Sequence, residues 1–287
     1  MRKIVITGGH GQLATAICHV AAASSNEYIA LGHRELDICD AESVERSIEG
    51  ADVVINCAAY TNVEGAEENI NEAFRINHEG VHTLAKLCTK HNATLIHIST
   101  DYVFGGDVIR CTPYTECDEP HPINIYGKSK LAGEMEVTTM RRGIVVRTSW
   151  LYSPWGNNFC TKILRLIDER DTLHIVNDQH GTPTSALSLA STLIDIIDSG
   201  AIESMQGIYH FSDGGSCTWY DFALEIARHK SSGCTIEPCS SADYPTKAKR
   251  PRYSVLDTRR IYAIEGIKME SWQKRLTDVI QLINSNL

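Results

Sequence analysis

The sequence predicts an α/β protein: an open, doubly wound parallel sheet with a smaller C-terminal α/β lobe packed on it. Two observations carry that expectation. Short aliphatic runs alternate with helical stretches through the first 150 residues, and the runs lack the polar alternation of a half-exposed strand. A glycine turn also follows the first run directly and opens the first helix, as in a Rossmann-type sheet.

Taken in order, the buried strands are expected at 3–7, 28–31, 52–56, 94–99 and 144–148. Helices are expected between them at 12–24, 41–49, 70–91 and 127–141. After Trp150 the rhythm loosens. Helices are expected at 158–170, 184–199, 218–229 and 271–285, with loops at 177–183 and 238–251. The division is therefore a main-sheet domain over 1–150 and a smaller lobe over 151–287, with interleaved contributions.

Composition excludes several classes. With 287 residues, 43% of them hydrophobic, the chain can bury a large core without disulfides or a structural metal. Its ten cysteines show no Cys-x-x-Cys pair, and several sit in apolar runs, so reduced and mostly buried thiols are expected. Lys and Arg number 27 against 36 Asp and Glu, a net charge of −9, which argues against nucleic acid as a partner. No run of eighteen apolar residues is present, so no membrane span is expected. Only three aliphatics separate Met1-Arg2-Lys3 from Thr7, too few for a secretory leader, and the expected location is the cytoplasm.

The first chemical signal is Thr7-Gly8-Gly9-His10-Gly11-Gln12-Leu13-Ala14. Glycines there let the backbone approach a pyrophosphate, which a helix N-terminus stabilises. Ala14 takes the third small position and still permits close helix–sheet packing. The second strand ends in Gly32-His33-Arg34-Glu35; an Arg at this edge accommodates a 2′-phosphate, so Arg34 favours NADPH over NADH, unless it is only a solvated partner of Glu35. The third and fourth strands end in Asn56-Cys57-Ala58-Ala59-Tyr60-Thr61 and Ser99-Thr100-Asp101-Tyr102. In a parallel sheet these ends share one edge with the glycine turn.

The most telling element is Tyr126-Gly127-Lys128-Ser129-Lys130 at the start of a helix. Tyr126 and Lys130 are four apart and share a face. A phenol with a pKa of about 10 is a poor acid–base group near neutrality. An ammonium one turn away is expected to lower that pKa and to hold a nicotinamide ribose. Ser99 and Thr100 are adjacent on a strand, so only one faces a ligand. Periodicity leaves the choice open. Lys247, Lys249, Arg250 and Arg252 form a basic cluster that suits a diphosphate, or else a solvated loop. Thr184 is read either as part of a ligand pocket or as the cap of the next helix. His10, His97, His180 and His210 show no metal-ligand spacing.

With these segments, with Arg147-Thr148-Ser149-Trp150-Leu151-Tyr152, Gly156-Asn157-Asn158-Phe159 and Asn177-Asp178-Gln179-His180-Gly181-Thr182-Pro183-Thr184, and with Pro245-Thr246-Lys247-Ala248-Lys249-Arg250-Pro251, the chain resembles the extended short-chain dehydrogenase/reductases that act on nucleotide sugars. The resemblance spans nearly the whole chain. It implies NADPH-dependent reduction of the C4 ketone of dTDP-4-dehydro-β-L-rhamnose, with a dTDP-sugar as the partner. Alternatives within the resemblance are a related reductase or epimerase and a cofactor-binding regulatory subunit. It implies Thr100, Tyr126 and Lys130 as catalytic residues, and so selects Thr100 over Ser99. Cofactor contacts carry over to Gly11, Gln12, Leu13, Asp37, Ile38, Ala59, Tyr60 and Thr61, beside Gly8 of the glycine turn, Arg34, Tyr126 and Lys130. Substrate contacts carry over to Thr100, Asp101 and Trp150, with Tyr102 as a neighbour and Arg250 of the basic cluster as the diphosphate contact. Some relatives dimerise around a cation held by acidic residues; Ala14-Thr15-Ala16 carries none, so no metal is expected there and a homodimer would use another surface.

Overall fold

In the computed structural model, which describes residues 1–230 and 233–285, the first strand is buried on both faces. This strand, β1 (Lys3–Thr7), sends Ile4 and Ile6 to one side of the sheet and Val5 to the other, all wholly buried. Burying such a side chain stabilises the fold by about 1.5–3 kcal/mol. Next come β2 (Glu27–Leu31), β3 (Val53–Asn56), β4 (Thr94–Thr100) and β5 (Gly143–Thr148), each within a residue or so of the expected bounds.

The helices between them are α1 (Gln12–Ala21), α2 (Ala41–Ile48), α3 (Val63–Ala66), α4 (Ile70–Phe74), α5 (Gly80–Lys90) and α6 (Ile125–Thr138). The helix expected over 70–91 is interrupted by a π-helical stretch, Arg75–Glu79, and the short α3 was not anticipated. Asn124 stops the chain before α6 and caps it, its Oδ1 accepting from the Gly127 N–H at 2.7 Å.

Beyond Thr148 follow β6 (Leu151–Tyr152), α7 (Phe159–Glu169), β7 (Thr172–Val176), β8 (His180–Gly181), β9 (Thr184–Ser185), α8 (Ala186–Asp198), β10 (Gly207–His210), β11 (Cys217–Thr218), α9 (Trp219–Arg228), β12 (Thr235–Cys239), α10 (Arg259–Tyr262) and α11 (Trp272–Ser285). The six-stranded parallel sheet runs β10-β5-β4-β3-β1-β2. Residues 186–210 thus return to the main layer, with β10 beside β5 and α8 against α1. A simple cut after residue 150 misses this return, because membership of the sheet is set by pairing between distant segments. Pro238, expected in a loop, lies in β12, which among the described residues forms a two-stranded sheet with β7.

The order reverses between β1 and β3, and their carboxyl ends are in register at Thr7 and Asn56. That is where an open sheet of this kind leaves a crevice. One core layer, with α1 and α8, covers one face; another, with α2, α5 and the end of α6, covers the other. A third cluster joins Tyr152, Phe222, Trp272 and Leu276 in the C-terminal lobe. The expectation of mostly buried thiols holds for Cys88, Cys160 and Cys217 but not for the exposed Cys18, Cys111 and Cys117.

Candidate active site

The glycine turn bends sharply after β1. Gly8 has φ +65°, and a Cβ there would lie 2.8 Å from the Ala58 N atom. A Cβ on Gly9 would lie 2.8 Å from the carbonyl carbon of Leu31. The turn is therefore wedged between the ends of β2 and β3, where only glycine fits. Gly11 is the N-cap of α1 and supplies no side-chain cap, and no acid stands in the first turn. This open, positive helix end fits a dinucleotide pyrophosphate. Gln12 is held at both ends of its amide, donating to the Leu151 carbonyl oxygen at 3.2 Å and accepting from Ser153 Oγ. Leu13 and Ile38 are buried in the core, which leaves their backbone as the part within reach of a ligand.

At the end of β2, Glu35 turns back to accept from the Gly32 N–H at 2.7 Å. Arg34 is exposed and is not paired with Glu35. An acid engaged with backbone and an Arg left in solvent suit a 2′-phosphate. Asp37 accepts from the Cys39 N–H and stands partly exposed beside Ile38.

On the other side of the crevice, Ala59, Tyr60 and Thr61 follow β3. Asn77, in the π-helical stretch, accepts from the Tyr60 N–H at 2.9 Å and donates to the Tyr60 carbonyl and to Ser129 Oγ. One buried amide thus ties the loop after β3 to α6. Nothing local in the sequence marked Asn77.

Helix α6 approaches very closely: a Cβ on Gly127 would lie 2.1 Å from the Tyr102 carbonyl oxygen. That contact brings Tyr126 against the end of β4, its ring 5.9 Å from that of Tyr102 in an edge-on arrangement. Burial pushes the Tyr126 phenol well above its ordinary pKa, and a hydrogen bond with Thr100 offsets part of the rise. The expectation that Lys130 lowers this pKa is not met. Lys130 is only 2% exposed and its Nζ donates to the Ile98 carbonyl at 2.7 Å, with His97 Nε2 at 3.3 Å. Tyr126 and Lys130 both lie on α6, as their spacing predicts, but the ammonium is directed to β4. Burial lowers Lys130 to about 8.

Thr100 and Ser99 part company as strand geometry requires. Ser99 donates at 2.5 Å to Glu134, which is also bound by Arg147 through Nε and Nη2. This ion pair is fully buried, and Arg147 also meets His210 Nε2. Ser99 is thus committed to the sheet's interior. Thr100 donates to Asp101 Oδ1 at 3.2 Å and accepts from the Tyr102 N–H. Asp101 also accepts from Ser254, and burial pushes its carboxyl up to about 7.

The basic loop closes over these residues, but not as a free cationic patch. Arg250 donates to Tyr102 Oη at 3.3 Å and to Glu64 of α3 at 2.7 Å, and Lys247 pairs with Glu68. Lys249 and Arg252 remain exposed, and the Lys249 carbonyl accepts from Asn124. Trp150 takes φ +46°, unusual for a large residue. Its indole stacks on Trp219 with centroids 3.5 Å apart, and a Cβ on Gly181 would lie 2.4 Å from it. Thr184 is not a helix cap: it lies in β9, and Ser185 precedes α8. Among the described residues, no group of three or more His, Cys, Asp or Glu could hold a metal ion, and no helix is long and apolar enough to cross a membrane.

The family described as "RmlD substrate binding domain" matches residues 1–285. A dTDP-4-dehydrorhamnose reductase of Aggregatibacter actinomycetemcomitans is 38% identical over 97% of this chain and 98% of its own. Among solved structures, a dTDP-4-dehydrorhamnose reductase from Clostridium acetobutylicum superposes with a TM-score of 0.92 at 38% identity, covering 98% of this chain and 99% of that one. One from Bacillus anthracis, in complex with NADP, gives 0.91 at 34% identity with the same coverage.

Proposed function

The chain belongs to the RmlD substrate binding domain family, and from that premise we propose that it reduces the C4 ketone of dTDP-4-dehydro-β-L-rhamnose to dTDP-β-L-rhamnose with NADPH, the last step in making that sugar nucleotide. NADH is the weaker alternative cofactor. The observation that carries this reading is the meeting of Thr100 and Tyr126 at the carboxyl end of β4, one helical turn from Lys130 and beside a glycine turn suited to a pyrophosphate.

When bound, NADPH supplies the hydride. Gly8, Gly11 and the N-terminus of α1 would hold its pyrophosphate, Arg34 its 2′-phosphate, and Ala59, Tyr60 and Thr61 its nicotinamide side. Tyr126 donates the proton to the ketone oxygen. Its raised pKa keeps it protonated at neutral pH, the form a reduction needs. Thr100 redirects its hydroxyl proton from Asp101 to the same oxygen and polarises the carbonyl. Lys130, held on β4 by the Ile98 carbonyl and the His97 ring, would hold the ribose. Asp101, Tyr102, Trp150 and Arg250 line the sugar-nucleotide side. Residues 1–150, with the returning segment 186–210, form the cofactor-bearing layer, and the rest of 151–287 bears the substrate. The substrate is a soluble dTDP-sugar and the enzyme works in the cytoplasm.

The test is nicotinamide absorbance in a coupled assay with enzymatically generated dTDP-4-dehydro-L-rhamnose. Oxidation of NADPH by the native protein is expected, with Tyr126→Phe slower by about 100- to 10,000-fold while still binding NADPH. Binding of NADPH without oxidation would move the assignment to another sugar nucleotide or to a regulatory role.

A further inference from the structure

Among the described residues, no carboxylate forms an ion pair with the buried cation Lys130. The nearby carboxylate, Glu134, lies one turn along α6 and is already bound by Arg147 of β5 and Ser99 of β4. The other titratable groups facing Lys130 are His97 of β4 and Cys57 beyond β3, whose thiol burial pushes up to about 12 and so keeps neutral. Two neutral acceptors therefore remain for the lysine, the Ile98 carbonyl and the His97 ring.

His97 is wholly buried, and burial, followed by the charge of Lys130, drives its pKa far below the usual value. A neutral imidazole carries one N–H, and the partner of one ring nitrogen decides what the other can do. Nδ1 lies 2.9 Å from the Asn56 Nδ2, while Asn56 Oδ1 accepts from Thr7 Oγ1 at 2.6 Å and from the Ala58 N–H at 3.2 Å. With the amide so placed, Asn56 donates to Nδ1, Nε2 carries the proton, and Lys130 meets it as a neutral amine. With the amide turned over, Nδ1–H donates to the Asn56 oxygen, and Nε2 accepts from the ammonium. Each arrangement satisfies both ring nitrogens; they differ by one proton on Lys130 and one amide rotation, which turns Thr7 Oγ1 into an acceptor from Asn56 Nδ2 and leaves it as the acceptor of the Ala58 N–H, at 3.1 Å.

We propose that His97 is a positioning residue for Lys130: with Asn56 setting its tautomer, it keeps the lysine on β4 in both charge states. This rests on the reading of Lys130 as a catalytic group. The buried chain Thr7–Asn56–His97–Lys130 links the strand below the glycine turn to that group through side chains alone. It also leaves one N–H of the ammonium for a cofactor ribose, since Ile98 and His97 take the other two.

The test compares His97→Leu with His97→Gln, which retains a group able to donate or accept. His97→Leu is expected to lower kcat by about 10- to 100-fold, the effect of removing one hydrogen bond to a charged group. The alkaline limb of its pH–rate profile moves to lower pH, because the ammonium loses an acceptor in a buried site. His97→Gln restores most of the rate and the limb. The wild-type rate and profile in a folded His97→Leu protein overturn the proposal. If that variant does not fold, ring-nitrogen NMR of native protein decides: the His97 tautomer is expected to exchange as Lys130 titrates, and one unchanged tautomer through that titration overturns it. Lys130→Met separates the two levels. If it retains full turnover, the underlying site assignment fails; if it is inactive beside an unaffected His97→Leu, only this inference does.

Discussion

Ser254 Oγ donates a 2.5 Å hydrogen bond to Asp101 Oδ2, fastening the loop before α10 to the turn after β4. Thr100 leans on the other oxygen of the same carboxylate. Asp101 thus stands between the C-terminal loop and the proposed carbonyl-binding hydroxyl, and its charge state matters to both.

The Asp101 carboxyl rises from an ordinary 3.8 to about 7 in the folded protein, chiefly through burial. Between those values the native state holds a proton that the unfolded chain has released. The stability from this group is therefore complete below about pH 3.8 and lost as pH rises through about 7. Asp101→Asn removes the titration. The stability of the native protein relative to that variant should fall by roughly 3–4 kcal/mol from pH 4 to pH 8, as read by urea denaturation. A difference independent of pH would contradict the buried, proton-holding carboxyl.

Arg34 stands in solvent while Glu35 is held by the Gly32 N–H. Arg34→Ala should raise Kd for NADPH by about tenfold or more, the effect of losing a charge-assisted contact, and barely change that for NADH. Fluorescence titration with both dinucleotides checks this. Equal losses would remove Arg34 from 2′-phosphate recognition.

Glu134 and Arg147 are an ion pair almost sealed from solvent, at 2.7 Å. Glu134→Gln leaves the Arg147 charge uncompensated and should lower stability by about 3–5 kcal/mol. The double replacement Glu134→Leu with Arg147→Met should cost less than the two single changes together, because it removes both charges at once. Thermodynamic cycles in urea measure this. Additive losses would mean that the pair is not coupled.

Gly181 gives the Trp150 indole its space, and Trp219 stacks on that indole. Gly181→Ala should displace the indole and raise KM for the sugar nucleotide by about tenfold while leaving Kd for NADPH unchanged. Steady-state kinetics beside a dinucleotide titration separate the two ligands. An unchanged KM would show that Trp150 is only a packing residue.

Much of this arrangement was legible in local pattern. The bounds of β1 follow from a buried aliphatic run ended by Thr7-Gly8, whereas α6, expected at 127–141, starts two residues earlier and ends at Thr138. Strand β10 was not legible: Gly207–His210 is four residues long, and its place at the sheet edge depends on pairing with β5, some sixty residues earlier. Asn77 was equally silent, because its role arises only where a π-helical stretch brings it beside Tyr60 and Ser129.

The sequence by itself determined the alternation of strand and helix, the glycine turn, and the presence of Thr100, Tyr126 and Lys130 at the ends of particular elements, since periodicity, capping and turn chemistry act over a few residues. Tertiary structure decided what those groups face. It turned Ser99 into the Glu134–Arg147 pair, directed Lys130 to His97 and Ile98 rather than to the Tyr126 phenol, and neutralised Arg250 and Lys247 with acids of the segment 64–68. A protonation state or a charge partner is set by burial and by atoms a few ångströms away, and those atoms come from distant parts of the chain.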